Sequence, residues 1–387
     1  MIVFMALGHE AKAAPGQHAR HAAKTSQRVT FSRNARSTRI RKNTVQAKVP
    51  GDPAPSTEAP AAVQHRPGHF AETKPDEDLS RPNQSTDEFR KITSTLNGWY
   101  DKYNALKTSL NNDYNIQYSL LVSSIIQWGV PHGGPGTTEI VYSPAITWNP
   151  FTNTKIGSGS FSFAFQGNQF WSKTNTNDQL AAIGLLTPPN DWGANSEQFA
   201  QLTYTHTLRG NVVAATIGQY PINQFDSNEY GGNSQTNFIS YPLAQNGTQT
   251  YANAGVGAYL QITPNSRLAF AGGFQEATNV TADTIEANFG TGKYAYFLNG
   301  QWTPNFLAGG TYSFLFYHQP SVPQQPSSSY GYSFSAMQKI DSEWGVFSRI
   351  NHASGEASSI LTSLAGGATL NNPFGRNELD RLGLGVA

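Results

Sequence analysis

Cysteine is absent from the 387 residues, and charged residues make up only 13% of the chain. The first absence excludes disulfides, thiolate metal sites and cysteine nucleophiles. The second is about half of the charged share of an average soluble protein. No run of 18 consecutive apolar residues occurs, which excludes a transmembrane helix. If the chain spans a membrane, it must do so as a closed β-barrel, because only helices and barrels satisfy their own backbone polar groups in lipid.

Motifs of catalysis are also missing. His206 and His318 fall near the ends of predicted strands in a lipid-facing register, and His352 falls in a predicted loop. None of them has a serine or an acid at a spacing that suggests a catalytic triad. No cluster shows metal-ligand spacing, and no Gly-rich phosphate loop follows a strand. We therefore predict neither an enzyme nor a cofactor.

The charge is distributed unevenly. Residues 1–50 contain ten Lys and Arg and one acid, Glu10, which leaves 16 basic and 24 acidic residues in the remaining 337. We interpret residues 1–13 as a signal-peptide remnant, since a short apolar core precedes an Ala-x-Ala cleavage site. Residues 14–84 are predicted to be disordered, first basic and then Pro-rich. The basic part sits on no recognisable nucleic-acid-binding fold, so we expect peptidoglycan or lipopolysaccharide as its partner and no nucleic acid.

A helix is predicted over residues 85–112. Its apolar residues alternate in spacing between three and four, as the a and d positions of heptads do; they are Phe89, Ile92, Leu96, Trp99, Tyr103, Leu106 and Leu110. This stripe fits either a coiled-coil stalk or a helix packed on a barrel. Gly98 weakens the helix by about 1 kcal/mol, and aromatic residues suit coiled-coil cores poorly. We therefore predict that the stripe packs on the periplasmic end of the barrel.

Residues 291–318 show the clearest strand pattern. Side chains alternate with a period of two on both sides of a turn at residues 303–305, which predicts an antiparallel hairpin. One face is almost wholly apolar with aromatic residues near its ends, and the other face is mixed. This order is typical of membrane-spanning strands, which carry aromatic girdles at both interfaces. A hairpin of a soluble β-sandwich is the alternative.

The connections between strands favour the membrane protein. Predicted strands lie at 114–123, 139–148, 159–167, 199–208, 212–220, 252–262, 267–275, 293–302, 306–317, 330–339, 344–351 and 380–386. The connections between them alternate strictly between short turns and long loops, as in bacterial outer-membrane barrels. We predict an all-β fold: a transmembrane antiparallel β-barrel over residues 113–387. About 16 strands are expected and about 12 are visible, so we expect the C-terminal end to be truncated. The inner face is polar and small, which predicts a wet lumen.

Three segments carry a family resemblance. Residues 371–385 contain Gly-Arg, then an Asp, then Leu-Gly-Leu-Gly; residues 96–110 contain Gly-Trp and a Leu-Lys-x-x-Leu helix; residues 218–226 contain Gly-Gln-x-Pro and Phe-Asp. These segments resemble the carbohydrate-selective outer-membrane porins, the OprB family, over about residues 96–387. The resemblance implies location in the bacterial outer membrane and passive diffusion of small sugars.

Sugar passage needs aromatic faces and polar groups at several weak sites. The candidate substrate-binding residues are Trp171, Trp192, Asp226, Glu229, Arg267 and Arg349, with Arg376 and Asp380 from the family-like motif. For the two tryptophans, packing of the loop is the alternative, and Arg376 and Asp380 could instead pair and tie down the last loop. We expect mono- and oligosaccharides and outer-membrane lipid as partners. The loop 221–251 is predicted to dip into the lumen and to narrow it.

Two other functions remain open at this stage. Arg267, Lys293, Lys339 and Arg349 fall in the lumen-facing register, which suggests a general or anion-selective porin. The basic tail suggests instead a structural barrel that tethers the envelope.

Overall fold

The computed structural model describes residues 87–129, 134–226, 229–231, 235, 237–358, 360–375 and 380–387. The signal remnant and the tail predicted for residues 1–84 lie outside these ranges. The chain begins with helix α1 (Asp87–Tyr114) and contains two short helices, α2 (Thr176–Ile183) and α3 (Tyr241–Ala244). The strands are β1 (Ile116–Gln127), β2 (Thr137–Thr154), β3 (Gly157–Phe170), β4 (Ser196–Thr207), β5 (Val213–Tyr220), β6 (Gly255–Asn265), β7 (Leu268–Glu276), β8 (Tyr294–Trp302), β9 (Gly310–Gln319), β10 (Ser329–Lys339), β11 (Trp344–Ser354), β12 (Thr362–Asn371) and β13 (Arg381–Val386).

The 13 strands form one antiparallel sheet whose order follows the chain. Twelve of them match the predicted strands, and β12 is an additional strand within the segment predicted as a long loop. Gly366 and Gly367 interrupt the apolar alternation of β12, which is why the sequence pattern failed there. Gly367 needs to be glycine because the Phe347 ring and the Leu384 carbonyl occupy the space of a side chain.

The connections are sorted by length between the two ends of the sheet. At one end they run from two residues (155–156) to nine (372–380); at the other they run from seven (355–361) to 34 (221–254). The predicted sorting therefore holds for most pairs of strands and weakens at β12, because the predicted 28-residue loop is in fact a strand with two shorter connections. Short turns face the periplasm in barrels of this kind.

The sheet is curled, as one stretch of chain shows. Tyr230 packs on Gly345 of β11, and Gln235 bonds to Val141 of β2. In a flat sheet nine strand spacings of about 4.8 Å would separate β2 from β11 by roughly 43 Å. Five residues of fully extended chain reach only about 18 Å. The two ends of the sheet must therefore approach each other, and the predicted β-barrel fold is confirmed.

The outward face of the barrel is apolar. Alternate residues of β8 show the pattern: Tyr296, Leu298 and Trp302 are exposed, whereas Ala295 and Phe297 are buried on the inner face. Aromatic residues collect near the ends of the strands, for example Trp302 with Tyr312 at the short-turn end and Tyr296 with His318 at the other. The order matches the aromatic girdles and apolar band of a membrane-spanning barrel.

Leu298 lies between the two girdles and is 64% exposed. We expect Leu298→Arg to lower the free energy of unfolding in lipid vesicles by about 2–4 kcal/mol, because a lipid-facing arginine near the bilayer midplane is desolvated. Leu208→Arg is the matched control, since Leu208 is 50% exposed but lies in a short turn outside the strands. Its effect should stay within about 0.5 kcal/mol. Equal losses in urea titrations of both variants would show that β8 does not face lipid.

Helix α1 covers less of its apolar stripe than predicted. Tyr103 packs edge-on against Tyr118 of β1, with ring centroids 5.3 Å apart, and Asn111 accepts a hydrogen bond from Gln117. Trp99 and Leu106 are exposed instead of packed on the barrel. The prediction is therefore right for Tyr103 and wrong for these two residues, because the helix meets the sheet only near its C-terminal end. No helix in the described part of the chain is long and apolar enough to cross a membrane.

Candidate functional site

The longest connection comprises residues 221–254, and we call it the lumen loop; its described residues lie against the inner wall of the barrel. It leaves β5 at the long-loop end, contacts Arg349 in the middle of β11, and reaches Lys339 and Arg381 at the short-turn end. It returns past Thr248, whose carbonyl accepts a hydrogen bond from Tyr317 of β9. The described residues of the loop thus run down the inner wall and back, in agreement with the predicted dip into the lumen, and the narrowing of the lumen stays a prediction.

The first part of the lumen loop packs on the inner wall of β6–β9. Phe225 stacks on Phe297 with centroids 4.4 Å apart and meets Tyr259 edge-on. Tyr251, from the returning arm, packs edge-on against Tyr317. These rings belong to one buried apolar cluster. The prediction of a wholly wet lumen is therefore wrong on this side: the inner wall carries large aromatic residues because a loop covers them.

A buried polar cluster around Arg349 and Asp226 joins the two arms of the lumen loop to the wall. Arg349 of β11 and Asp226 are both almost fully buried, and Arg349 Nη2 donates to the Asp226 carbonyl at 2.9 Å. Ser333 of β10 donates to Asp226 Oδ1 at 2.6 Å. Gly231 lies so close to Arg349 and to the Leu243 carbonyl that a side chain there would crowd both. Arg349 is therefore the point where the descending and returning arms meet.

Burial sets the ionisation of the groups in the lumen loop. It raises the pKa of Asp226 above the ordinary value, while Arg349 and Ser333 act in the opposite direction. Burial likewise raises the pKa of Tyr251 well above its usual range, and the neighbouring Asp226 adds to this shift. The phenol of Tyr251 is therefore neutral at physiological pH. Arg349 is the nearby positive charge that favours the ionised form of Asp226 and partly opposes the effect of burial on its pKa.

A partly exposed cluster of ion pairs holds the tip of the lumen loop. Glu229 Oε2 lies 2.6 Å from Lys339 Nζ, and Glu229 Oε1 lies 3.0 Å from Arg381 Nη2. Arg381 also donates to the Asn237 side chain at 2.9 Å, and its guanidinium lies over the Tyr230 ring. All three charged side chains are about one third exposed. The cluster fixes the tip to β10 and β13 at the periplasmic end.

We expect Glu229→Gln to destabilise the seated loop by less than about 1 kcal/mol, because partly exposed ion pairs are screened by solvent. The difference in loop stability between the variant and the unsubstituted protein should vanish in high salt, because salt already screens the native ion pair. Glu197→Gln serves as the control, because Glu197 accepts a hydrogen bond from Tyr142 and takes no part in this cluster. Proteolysis of the loop in detergent, at low and high salt, measures the difference. A loss that is the same at both salt concentrations would contradict the assignment.

Glycines of the inner wall form the seat of the lumen loop. Tyr230 packs on Gly345, and Phe238 packs on Gly383, at positions where a side chain on the wall would collide with the ring. Tyr230 and Phe238 belong to a buried cluster with Phe347 of β11. The glycines of the Leu-Gly-Leu-Gly strand thus face inward and leave room for the rings of the lumen loop. The leucines that alternate with them face outward, towards lipid.

Between its two arms the lumen loop crosses to the opposite wall. Gln235 Oε1 accepts a hydrogen bond from Ser143 of β2 at 2.7 Å, and Gln235 Nε2 donates to the Val141 carbonyl at 3.2 Å. The loop is thereby fixed to β2 as well as to β10–β13. A segment that touches both walls divides the space inside the barrel.

The connection between β3 and β4 covers the long-loop end of β1 and β2. Trp192 is only 8% exposed and packs against Ile125 and Val141, and Ile239 of the lumen loop packs on the same cluster. Asn190 and Asn168 both donate to the buried Glu139 carboxylate. Trp192 therefore packs the loop, and the prediction that it offers a face to sugars is wrong. Its ring is covered because two loops meet over it.

The remaining candidates are scattered. Arg267 is exposed in the two-residue turn between β6 and β7, so its prediction as a lumen-lining residue is wrong; β7 begins one residue later than predicted. Trp171 is exposed at the start of the loop after β3. Arg376 lies outside the described residues. The Asp380 carbonyl accepts a hydrogen bond from Asn372 and closes the last connection. Asp226, Glu229 and Arg349 are the candidates that meet at the lumen loop.

Sequence reasoning missed Arg381 and Gln235, whereas the period of two correctly placed hydroxyls such as Ser123, Ser160 and Ser162 on the inner face. For Arg381 the signal was present. Leu382 and Leu384 face outward, so alternation along β13 places Arg381 on the inner face. For Gln235 no local pattern existed, because its partners lie 92 and 94 residues away.

Comparisons with known proteins agree with this architecture. Porin AaxA of Chlamydia pneumoniae is 35% identical over 292 residues, which cover 73% of this chain and 66% of the relative. Porin AaxA of Chlamydia trachomatis serovar D is 32% identical over 305 residues, with the same coverage. The chain belongs to the outer-membrane porins. The porin spans about two thirds of the length of these curated relatives.

The fold of the porin is also found among solved structures. The high-pH structure of Pseudomonas putida OprB matches with a TM-score of 0.56 at 12% identity, over 73% of this chain and 77% of that one. The barrel fold implied by the resemblance to the OprB porins is thereby confirmed. No protein-family model matches the chain. The location of such barrels is the bacterial outer membrane.

Proposed function

We propose that this porin is a passive channel for small, neutral, polyhydroxylated solutes, that is, mono- and oligosaccharides. The observation that carries the proposal is an uncharged wall of hydroxyls on the inner face of β1–β5. Its partly exposed members are Ser123, Ser143, Thr147, Ser160, Ser162 and Thr205, and the buried hydroxyls of Thr203 and Thr216 lie beside them. A sugar offers many hydroxyls that exchange hydrogen bonds with such a wall without forming any strong contact, which permits entry and release.

Hydroxyls of the wall form hydrogen bonds both across neighbouring strands and along β4. Thr205 and Thr216 lie 2.8 Å apart through their Oγ1 atoms, and Gln201 donates to Thr203 Oγ1 at 3.0 Å. Each hydroxyl both donates and accepts, so it adapts to a passing hydroxyl in either role. The aromatic rings of the opposite wall are covered by the lumen loop. The hydroxyl wall is therefore the polar surface that a solute in the lumen meets.

The positions of the basic residues weaken the anion-selective alternative. Lys339 is paired with Glu229, Arg349 is buried beside Asp226, and Arg267 lies in an exposed turn. Lys293 lies near Ser321 at the long-loop end. These cations do not form a row along the inner face, so they create no continuous attraction for anions.

Liposome swelling tests the proposal with three solutes of similar size, a neutral hexose, its acid and its amine. We expect fastest entry for the neutral sugar and a bilayer reversal potential near zero in a salt gradient. The triple variant Ser160→Val, Ser162→Val and Thr205→Val should weaken the block of the current by sugar. Ser124→Val, on the outward face of β1, should leave the block unchanged. Faster entry of either charged solute, or a strongly shifted reversal potential, would contradict sugar selectivity while leaving the porin fold untouched.

The tether proposed for the basic tail concerns residues 17–49, which lie outside the described part of the chain. The measurement that decides it is a pull-down of the 17–49 peptide with peptidoglycan and with lipopolysaccharide. Retention on neither polymer would exclude a tethering role.

A further inference from the structure

Two histidines lie on the outward face of the barrel at the long-loop end. His318 of β9 pairs in register with Tyr296 of β8 and Tyr330 of β10, and its ring lies 6.4 and 4.6 Å from theirs. His352 pairs with Tyr332 of β10, with ring centroids 5.3 Å apart. The three tyrosines are about half exposed, so the whole cluster faces away from the lumen. His352 was predicted in a loop but belongs to β11, because that strand runs on to Ser354.

The cluster has unused hydrogen-bonding groups. His352 Nδ1 lies 3.0 Å from Thr362 Oγ1, which leaves Nε2 for another partner. Neither ring nitrogen of His318 has a hydrogen-bond partner among the described residues. Two strand spacings of about 4.8 Å and an offset of two residues place the two histidines roughly 12 Å apart, with the phenols of Tyr330 and Tyr332 between them. Imidazoles and phenols are hydrogen-bond donors to anionic oxygens.

The surroundings define the kind of ligand. The outward residues of β8–β11 include no carboxylate, and the two histidines are their only side chains able to take a positive charge. Towards the membrane centre the cluster continues into an apolar band with Phe316, Phe334 and Ile350. An occupant must therefore join an apolar part, which lies on the band, to an anionic part at the level of the histidines. That is the structure of a membrane lipid with a phosphorylated head group.

We propose that His318, Tyr330, Tyr332 and His352 bind the phosphorylated head group of a glycolipid in the outer leaflet of the membrane. The long-loop end of the barrel faces that leaflet, since the short turns face the periplasm. The phosphate oxygens accept hydrogen bonds from the imidazoles and phenols, and the acyl chains lie on the aromatic band below. The site lies outside the pore, so it does not depend on which solute the porin admits.

The test uses the full-length protein in detergent and a phosphorylated outer-leaflet glycolipid, with the same glycolipid after removal of its phosphates as the comparison. Thermal unfolding at increasing lipid concentration gives the apparent affinity. The double variant His318→Phe and His352→Phe keeps the aromatic ring contacts and removes the ring nitrogens. We expect roughly tenfold weaker binding of the phosphorylated lipid, as expected on loss of charge-assisted hydrogen bonds.

His206→Phe is the matched control. His206 also faces outward within an aromatic cluster, beside Tyr204 and Phe151, but at the short-turn end of β4. It should bind the phosphorylated lipid as the unsubstituted protein does. Equal affinity of the double variant and the control would overturn the proposal. Equal affinity of the unsubstituted protein for the phosphorylated and dephosphorylated lipids would overturn it as well, and this arm requires no variant to fold.

Discussion

Replacing residues 227–245 by about four Gly and Ser residues should raise the single-channel conductance several-fold and abolish the block by sugar. This segment contains the tip fixed by Glu229, the crossing at Gln235 and the ring of Phe238. Without it, the space between the hydroxyl wall and β10–β13 would fill with water. A wider aqueous path conducts more ions and holds a solute less closely.

The barrel should survive this excision. Asp226 and Asn246 lie beside each other, so a short linker joins them without strain. The packing of Phe225 and Tyr251 on β6–β9 is retained, as is the bond between Arg349 and the Asp226 carbonyl. The loss is the burial of Tyr230, Phe238 and Leu243, which contribute about 1.5–3 kcal/mol each. Barrels whose lumen is wet tolerate such a loss, because the strands keep their backbone hydrogen bonds.

The control is an excision of similar type at an exposed site. Residues 285–288, in the connection between β7 and β8, are exposed, and their removal should change neither conductance nor sugar block. Planar bilayer recordings of both variants, with and without a neutral sugar, give the comparison. If the 227–245 excision left both quantities unchanged, the lumen loop would not form the constriction.

The strand alternation predicted which side chains face lipid but not what covers the inner face. Leu298 and Phe297 are neighbours of similar polarity, and only the register separates the exposed one from the buried one. That register follows from a period of two and is readable from the chain. The cover over Phe297 is Phe225, 72 positions earlier in the sequence, and no local pattern marks that contact.

Glycine limited the prediction in a similar way. In β12 the pair Gly366 and Gly367 suggested a loop, since glycine is depleted in strands. The structure shows that Gly367 is small because Phe347 and the neighbouring strand take up its space. The sequence does not distinguish a glycine that allows a neighbouring group to pack closely from a glycine that allows the backbone to turn. The neighbours that distinguish them become known only when the strands are paired.

The pair of Asp226 and Arg349 carries the other large expected effect. Arg349→Met should lower the free energy of unfolding at pH 7 by about 3–5 kcal/mol, because it leaves a buried carboxylate without its compensating charge. The Asp226 carboxyl can avoid carrying an unpaired buried charge by binding a proton. At pH 7 that protonation costs about 4 kcal/mol for a group with an unfolded-state pKa of about 3.9, and at pH 5 it costs about 1.5 kcal/mol.

The sign of the pH dependence follows from these quantities. Burial already raises the pKa of Asp226, and loss of Arg349 removes a group that opposes the shift. The folded variant therefore binds the proton more tightly than the unfolded chain does. Its stability should fall as the pH rises above about 4, which is the reverse of a salt-bridged carboxylate. Urea titrations in lipid vesicles at pH 5 and pH 7 should show the larger penalty at pH 7.

The double variant Asp226→Asn and Arg349→Met completes the test. Removing both charges should recover most of the stability lost at pH 7, since a buried pair replaced by neutral groups costs little. It should also remove the pH dependence between pH 5 and pH 7, because the titrating carboxyl is gone. Ser333 keeps a hydrogen-bond acceptor, because the amide that replaces the Asp226 carboxylate retains one oxygen, so the seat of the lumen loop retains its shape. A double variant as unstable as Arg349→Met, with the same pH dependence, would show that the cost comes from lost packing of the arginine and not from an unpaired charge.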